Sequence, residues 1–227
     1  GPLEGTPTFR SVLRVQHVLE LEPDPDAVAR RFRPAVRRNI QAARAKELRV
    51  RRAESEADMV ETFYGLQLMT RRRLGLPPQP RRFFRAVWRD VLSRGLGHLT
   101  LVEVDGRAVA AGVFLEWNGF TIYKYGASDP RAWSLRPNNL LFAEEIAAAC
   151  RAGSTTFHFG RTDLADSGLR RFKRGWGAEE RPLEYTYFGA GVHTEQPGPP
   201  EAVRAFIRRS PGLLGRAIGE VLYRYVA

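Results

Sequence analysis

The chain contains one cysteine, Cys150, so no disulfide can close within it, and that residue reads as packing at the end of an Ala-rich helix. Its four histidines, His17, His98, His158 and His193, are scattered without metal-ligand spacing, so no metal site is expected. His158 alternates with Phe157 and Phe159 and reads as a hydrogen-bonded core or cleft residue rather than a base. No run of about 18 apolar residues occurs, and the amino terminus lacks the basic-then-apolar order of a secretory signal. No membrane span and a cytoplasmic location are therefore expected. A Walker-type phosphate loop and a Ser/His/Asp nucleophile turn are both missing. Lysine is scarce too: among 36 basic residues only Lys46, Lys124 and Lys173 are lysine.

What is abundant is arginine. The formal net charge is +11 and the isoelectric point about 10.6, enough to attract phosphate-rich partners, although arginines spread over solvated helix faces would give the same totals. A lysine that has escaped this arginine bias marks a place where a compact, mobile ammonium is needed, because the planar guanidinium is no substitute for it. A length of 227 residues with 43% hydrophobic content suits one soluble domain with appendages.

Along the chain, Gly1 to Thr6 read as a cleavage scar and linker, which leaves open a natural chain that extends upstream. Residues 7–47 read as an amino-terminal strand, Phe9 to Glu22, and a basic amphipathic helix, Pro34 to Glu47, separated by the breaker Pro23-Asp24-Pro25-Asp26. Residues 48–192 begin with a short strand near Leu48 to Arg52 and a helix from Glu56 to Arg73 whose buried stripe includes Met59, Phe63 and Leu66. After the Gly75 to Pro80 breaker comes a helix from Arg82 to Ser93. Three strands follow, Leu99 to Val104, Ala108 to Trp117 and Phe120 to Tyr125, joined by the hairpin-turn pairs Asp105-Gly106 and Asn118-Gly119. A helix from Asn138 to Ala152, a strand from Thr155 to Phe159, a short helix from Ser167 to Arg174 and a strand from Leu183 to Phe188 complete the order. Residues 193–227 read as a linker and two helices, with Leu214, Ile218, Val221, Leu222 and Tyr225 on one face of the last. The order predicts an α+β fold, with a mixed, mostly antiparallel sheet flanked by helices, an order that resembles that of a GNAT domain. In that sheet the meander continues into the strands at Thr155 and Leu183.

Several stretches resemble the FemAB-like branch of the GNAT acyltransferases over roughly Ala35 to Phe188. They are Arg38-Asn39-Ile40 with Ala43, Thr70 to Gly75, Tyr125 to Pro130, Arg136-Pro137-Asn138-Asn139, Phe159-Gly160-Arg161, and Leu169 with Phe172-Lys173 and Trp176-Gly177. The resemblance implies aminoacyl transfer from aminoacyl-tRNA, as co-substrate, to a small amine or peptide acceptor, with no resident cofactor. It puts Phe172 and Lys173 at the reacting centre, with Tyr125 beside them and Tyr123 on the same strand lining the same cleft. Strand alternation and the need for a donor where an oxyanion develops make that assignment chemically sensible. Lys173 also fits a surface position among Arg170, Arg171 and Arg174. Substrate contacts are assigned to Arg72, Arg161, Asn138 and Asn139; a salt bridge for Arg161 and helix capping for the asparagines are the alternatives. Arg37, Arg38 and Arg44 on the basic helix are the candidates for the tRNA backbone.

Where members acting on cell-wall nucleotide precursors carry an arginine and, four residues on, a tyrosine, this chain has Gln79 and Phe83. A different acceptor is implied. The family's full-length fold also has two GNAT-like halves, and this chain matches the second, so an upstream domain is a possible partner. An acyl-coenzyme A donor is the alternative; the stretch Ser128 to Asn139, where ordinary GNAT enzymes carry a glycine-rich pyrophosphate turn, has no glycine. A non-catalytic RNA-binding module would account for the arginines but not for the Phe172-Lys173 context.

Overall fold

The computed structural model describes residues 8–188 and 200–210. The residues expected to form the scar at Gly1 to Thr6, most of the Pro197 to Pro200 linker, His193 and the Leu214 to Tyr225 face lie outside them. In chain order the elements are β1 (Thr8–Glu20), α1 (Pro25–Arg30), α2 (Pro34–Arg44), β2 (Arg49–Arg52), a π-helical turn (Asp58–Phe63) running into α3 (Tyr64–Leu74), and α4 (Arg81–Asp90). The second half contains β3 (Gly97–Val104), β4 (Arg107–Trp117), β5 (Phe120–Ser128), a 3-10 helix (Pro130–Leu135), α5 (Pro137–Arg151), β6 (Thr156–Asp163), α6 (Ser167–Arg174), β7 (Glu179–Phe188) and α7 (Glu201–Arg209).

The meander forms as its turns require. Asp105 and Gly106, and likewise Asn118 and Gly119, all have positive φ, the geometry that lets a two-residue turn follow the twist of its strands. The seven strands form one sheet in the order β2-β3-β4-β5-β6-β1-β7. Only the β5–β6 pair is parallel; the others are antiparallel. Both later strands join the meander's sheet as expected, but β7 does not lie beside β6. The long β1 is inserted between them and bonds to both. Local alternation marks a strand but not its neighbours, which is why sequence alone did not show this.

Each face of the sheet carries its own core. On one, Phe114, Phe142, Phe157, Phe159 and Trp176 are buried among α1, α2 and α5. On the other, Met59, Phe63, Phe84, Leu99, Leu101 and Val113 pack with α3 and α4. Met59 is therefore core, as its helical spacing implied. Alternation along β4 feeds both sides, with Val113 in one core and Phe114 in the other. α7 docks on α3, where Arg204 covers Gly75, a left-handed helix end at φ 68°.

Trp176 is fully buried between Phe32, at 5.0 Å, and Phe142, at 5.7 Å, and its indole N–H has no partner. Trp176→Ala is expected to destabilise by about 3–5 kcal/mol through the cavity it opens, whereas Trp176→Phe, which also removes the unpaired donor, costs less than about 1.5 kcal/mol. Urea denaturation of the two variants checks the difference.

Candidate active site

The ladder between β5 and β6 covers only Phe120–Ile122 against Thr156–His158. Where β5 runs on without β6, a cavity of about 680 Å³ opens. Its walls are the end of β5, the start of α5 (Asn138 and Phe142), the end of α3 (Thr70 and Arg73) and one face of α6.

α6 begins where the Asp166 carboxylate accepts the N–H of Leu169 at 2.9 Å, a helix cap. Leu169, Phe172 and Lys173 then share one helical face, and all three line the cavity. Arg170 turns away and holds Glu180 through two hydrogen bonds of 3.0 and 2.7 Å. Phe172 packs against Phe142 at 5.7 Å.

Lys173 is 3% exposed, not the surface lysine that its arginine neighbours allowed. Its ammonium donates to the carbonyl oxygens of Gly160, at 3.1 Å, and Arg161, at 3.2 Å. Burial brings its pKa down to about 8, with Asp166 pulling weakly the other way. Burial and the nearby ammonium hold His17 and His158 below the ordinary imidazole value. Glu180 is held at about 2, chiefly by hydrogen bonds from Arg170.

The expectation that Tyr123 and Tyr125 share a cleft is corrected. β5 carries an extra residue between Val113↔Tyr125 and Phe114↔Tyr123, so strand parity inverts there. Tyr123 packs on Phe142 at 4.7 Å and lines the cavity. Tyr125 meets Phe83 and Phe84 in the opposite core. A Cβ on Gly126 would overlap the Tyr123 hydroxyl, so glycine there makes room for it. Burial pushes the Tyr123 phenol upward, so it stays protonated.

Arg161 lies within β6 rather than past its end; its guanidinium reaches the Tyr185 hydroxyl at 3.3 Å, and only its carbonyl serves the site. Arg72 bonds the carbonyl of Arg208 on α7 at 3.4 Å, away from the cavity. It is Arg73 that lines the cavity, on the same helical face as Thr70, and its guanidinium lies 4.9 Å from the ring of Trp133. Neither asparagine caps α5, whose N-cap is Arg136. Asn138 lines the cavity and donates to the Ser128 hydroxyl at 3.3 Å, while Asn139 is buried outside the lining. Ser128 also accepts the indole N–H of Trp133 at 2.9 Å.

Arg37 and Arg38 are exposed on α2. Arg44 pairs with Glu144 at 2.9 Å and borders a second cavity, of about 430 Å³, with Arg51, Arg52 and Arg151. Gln79 accepts from Gln67 at 3.3 Å and Phe83 stands edge-on to Tyr125, so an amide pair and an aromatic contact occupy the two positions that depart from the family pattern. His98 belongs to a buried network, bonding Glu145 at 2.7 Å. Thr70, Arg73, Ser128, Trp133 and Phe142 were not foreseen. The spacing of Thr70 and Arg73 pointed to their shared face, but Phe142 reads as ordinary core.

A model of the family described as acetyltransferase (GNAT) domain matches residues 30–176. The chain belongs to the GNAT family. The FemX structure superposes on this GNAT chain with TM-score 0.69 and 17% identity, over 77% of this chain and 61% of FemX. The chain thus spans less than two thirds of FemX. A C-terminal domain assigned to a lysylphosphatidylglycerol synthetase of Agrobacterium fabrum gives 0.59 at 12% identity, over 95% of this chain and 67% of that one. L-PGS from Bacillus licheniformis gives 0.55 at 12% identity, over 94% and 68%. At these identities the likeness is one of fold, and it agrees with the FemAB-like reading of the sequence. No curated protein matches the chain.

The Lys173 pKa has a consequence for stability. A lysine with its folded pKa lowered to about 8 is penalised where both folded and unfolded states carry the charge, and the penalty lifts as pH rises toward the ordinary 10.5. The stability of the parent protein relative to Lys173→Met should therefore rise by up to about 3 kcal/mol between pH 8 and 10.5, measured by urea melts of both across that range.

Proposed function

We propose that this GNAT domain is an aminoacyltransferase that takes an aminoacyl group from aminoacyl-tRNA and joins it to an amine. The observation that carries this reading is the buried Lys173 ammonium in the cavity wall, seated on two backbone carbonyls with one of its three N–H groups left for a substrate oxygen.

In this mechanism the amine nitrogen of the acceptor attacks the ester carbonyl carbon of the donor. The carbonyl oxygen becomes an oxyanion, and the remaining N–H of Lys173 stabilises it. The bond between the carbonyl carbon and the ribose oxygen then breaks. The proton lost by the attacking amine passes to that oxygen, leaving an amide and a free hydroxyl. Tyr123, kept protonated by burial, is a second donor in the cavity. Phe172 and Phe142 exclude water from the ester.

The donor is assigned from the approach to the cavity. Arg73 and Trp133 both line it and are exposed, offering a cation and an aromatic face of the kind on which nucleobases stack. The segment from Ser128 to Asn139 is unlike a pyrophosphate cradle. It is filled by the 3-10 helix, α5 opens on Pro137, which has no N–H, and the N–H of Asn139 bonds the Arg136 carbonyl at 3.0 Å. Exposed Arg37 and Arg38, with the net charge of +11, suit a phosphate backbone. One neighbour in fold carries the name lysylphosphatidylglycerol synthetase, a name that denotes an aminoacylated product and so suits this reading. The family description, acetyltransferase, favours a second reading in which acyl-coenzyme A is the donor.

Single-turnover assays with labelled aminoacyl-tRNAs and, separately, acyl-coenzyme A against an amine mixture decide between the donors. Label leaving tRNA into an amide is expected; turnover of acyl-coenzyme A alone replaces the first reading with the second. Lys173→Ala should lower turnover on the order of a hundredfold, the scale of losing one oxyanion donor, with much less effect on donor affinity. Lys173→Arg should be impaired and Arg171→Lys nearly silent. Activity should fall as pH rises through about 8, where the ammonium loses its proton. Unchanged turnover in Lys173→Ala removes the residue from the mechanism.

A further inference from the structure

His158 closes the short β5–β6 ladder opposite Ile122, and on its other side it pairs with Val18 of β1. Between the pairs Gln16↔Arg161 and Val18↔His158, β6 runs one residue longer than β1, so Phe159 and Gly160 form a bulge. Gly160 has φ 74°, a conformation glycine adopts without strain, and a Cβ there would stand 3.2 Å from the Tyr123 carbonyl oxygen.

The hydrogen bonds around this bulge have one direction. The N–H of Gly160 donates to His158 Nδ1 at 2.9 Å. A ring nitrogen that accepts carries no proton, so neutral His158 holds its proton on Nε2, which donates to Gln16 Oε1 at 3.0 Å. The carbonyl of the same Gly160 accepts the Lys173 ammonium at 3.1 Å, and the next carbonyl, of Arg161, accepts it at 3.2 Å. Successive carbonyls of a regular strand point to opposite sides. Both can meet one ammonium only because the backbone turns at Gly160.

We propose that His158 is a positioning residue, its Nδ1 holding the Gly160 bulge in the shape that directs two adjacent carbonyls onto the Lys173 ammonium. This rests on the reading of Lys173 as the oxyanion donor. Removing the acceptor leaves the Gly160 N–H unpaired in a half-buried site, and the bulge relaxes toward a regular strand. α6 is held independently, by the Asp166 cap and the Arg170–Glu180 pair, so what is lost is the seat of the ammonium rather than the helix that carries it.

Two near-isosteric substitutions separate the two ring nitrogens. His158→Asn puts Oδ1 in place of Nδ1 and keeps the acceptor for Gly160, whereas His158→Gln reaches Gln16 in place of Nε2 and loses that acceptor. Kinetically, His158→Asn should keep kcat within about threefold, and His158→Gln should lower it about tenfold or more with KM within about twofold. The second readout does not use activity. The chain has three lysines, so in protein labelled with 13C-lysine the Lys173 signal is identified by its loss in Lys173→Ala. Its titration midpoint, about 8, should persist in His158→Asn and rise toward 10.5 in His158→Gln as the ammonium leaves its buried seat. Equal kcat in the two variants, or a midpoint still at about 8 in His158→Gln, overturns the proposal. Full turnover in Lys173→Ala overturns the oxyanion reading instead, and the titration then decides by itself whether His158 seats the ammonium.

Discussion

Parallel strands β5 and β6 share only three ladder positions, so past Ile122 and His158 their facing backbone groups must find partners other than each other. The Lys173 ammonium is one such partner, taking the carbonyls of Gly160 and Arg161. The cleft therefore exists because the ladder stops, and its one buried cation is also what satisfies the backbone exposed by the stop. Ligands of open sheets with parallel strands collect at such gaps.

A cation in this position is costly by itself, and the structure leaves that cost in place. Glu180 is engaged by Arg170 and His17, while Lys173 bonds only neutral carbonyls, and the Asp166 carboxylate, which favours its charge, is engaged in capping α6. Two imidazoles held neutral by burial and by the same ammonium complete its surroundings. A fully paired lysine would have its charge neutralised; this one keeps its charge in a low-dielectric wall, the preorganisation that the proposed oxyanion role requires.

The arginine richness has more than one origin. Arg51 alone bridges Asp58 and Glu103, at 2.7 and 2.8 Å, and Arg52 meets buried Glu145 at 3.1 Å, so part of the basic composition holds the β2 edge to its neighbours. Arg37 and Arg38, exposed on α2, belong to the surface. Part of the arginine thus has a pairing role that composition did not suggest, while Arg37 and Arg38 lie on the kind of solvated helix face that it did.

The sequence by itself determined most of the secondary elements, including the meander, and singled out Lys173 by its residue type. Asp105-Gly106 and Asn118-Gly119 admit little but tight hairpin turns, helical spacing marks Met59 and Phe63 as core, and a lone lysine among arginines stands out from one line of text. These are local signals, carried by residues a few positions apart. The tertiary structure decided what depends on distant partners or on counting residues across strands. The insertion of β1 between β6 and β7 is set by pairing over more than a hundred positions. The single extra residue in β5 sends Tyr125 to the far core and leaves Tyr123 in the cleft, a parity change that strict alternation cannot foresee. One step along α3 separates Arg72, drawn to α7, from Arg73 beside Trp133, and only the docking of α7 tells them apart. Periodicity says which residues share a face; what that face meets is settled by packing.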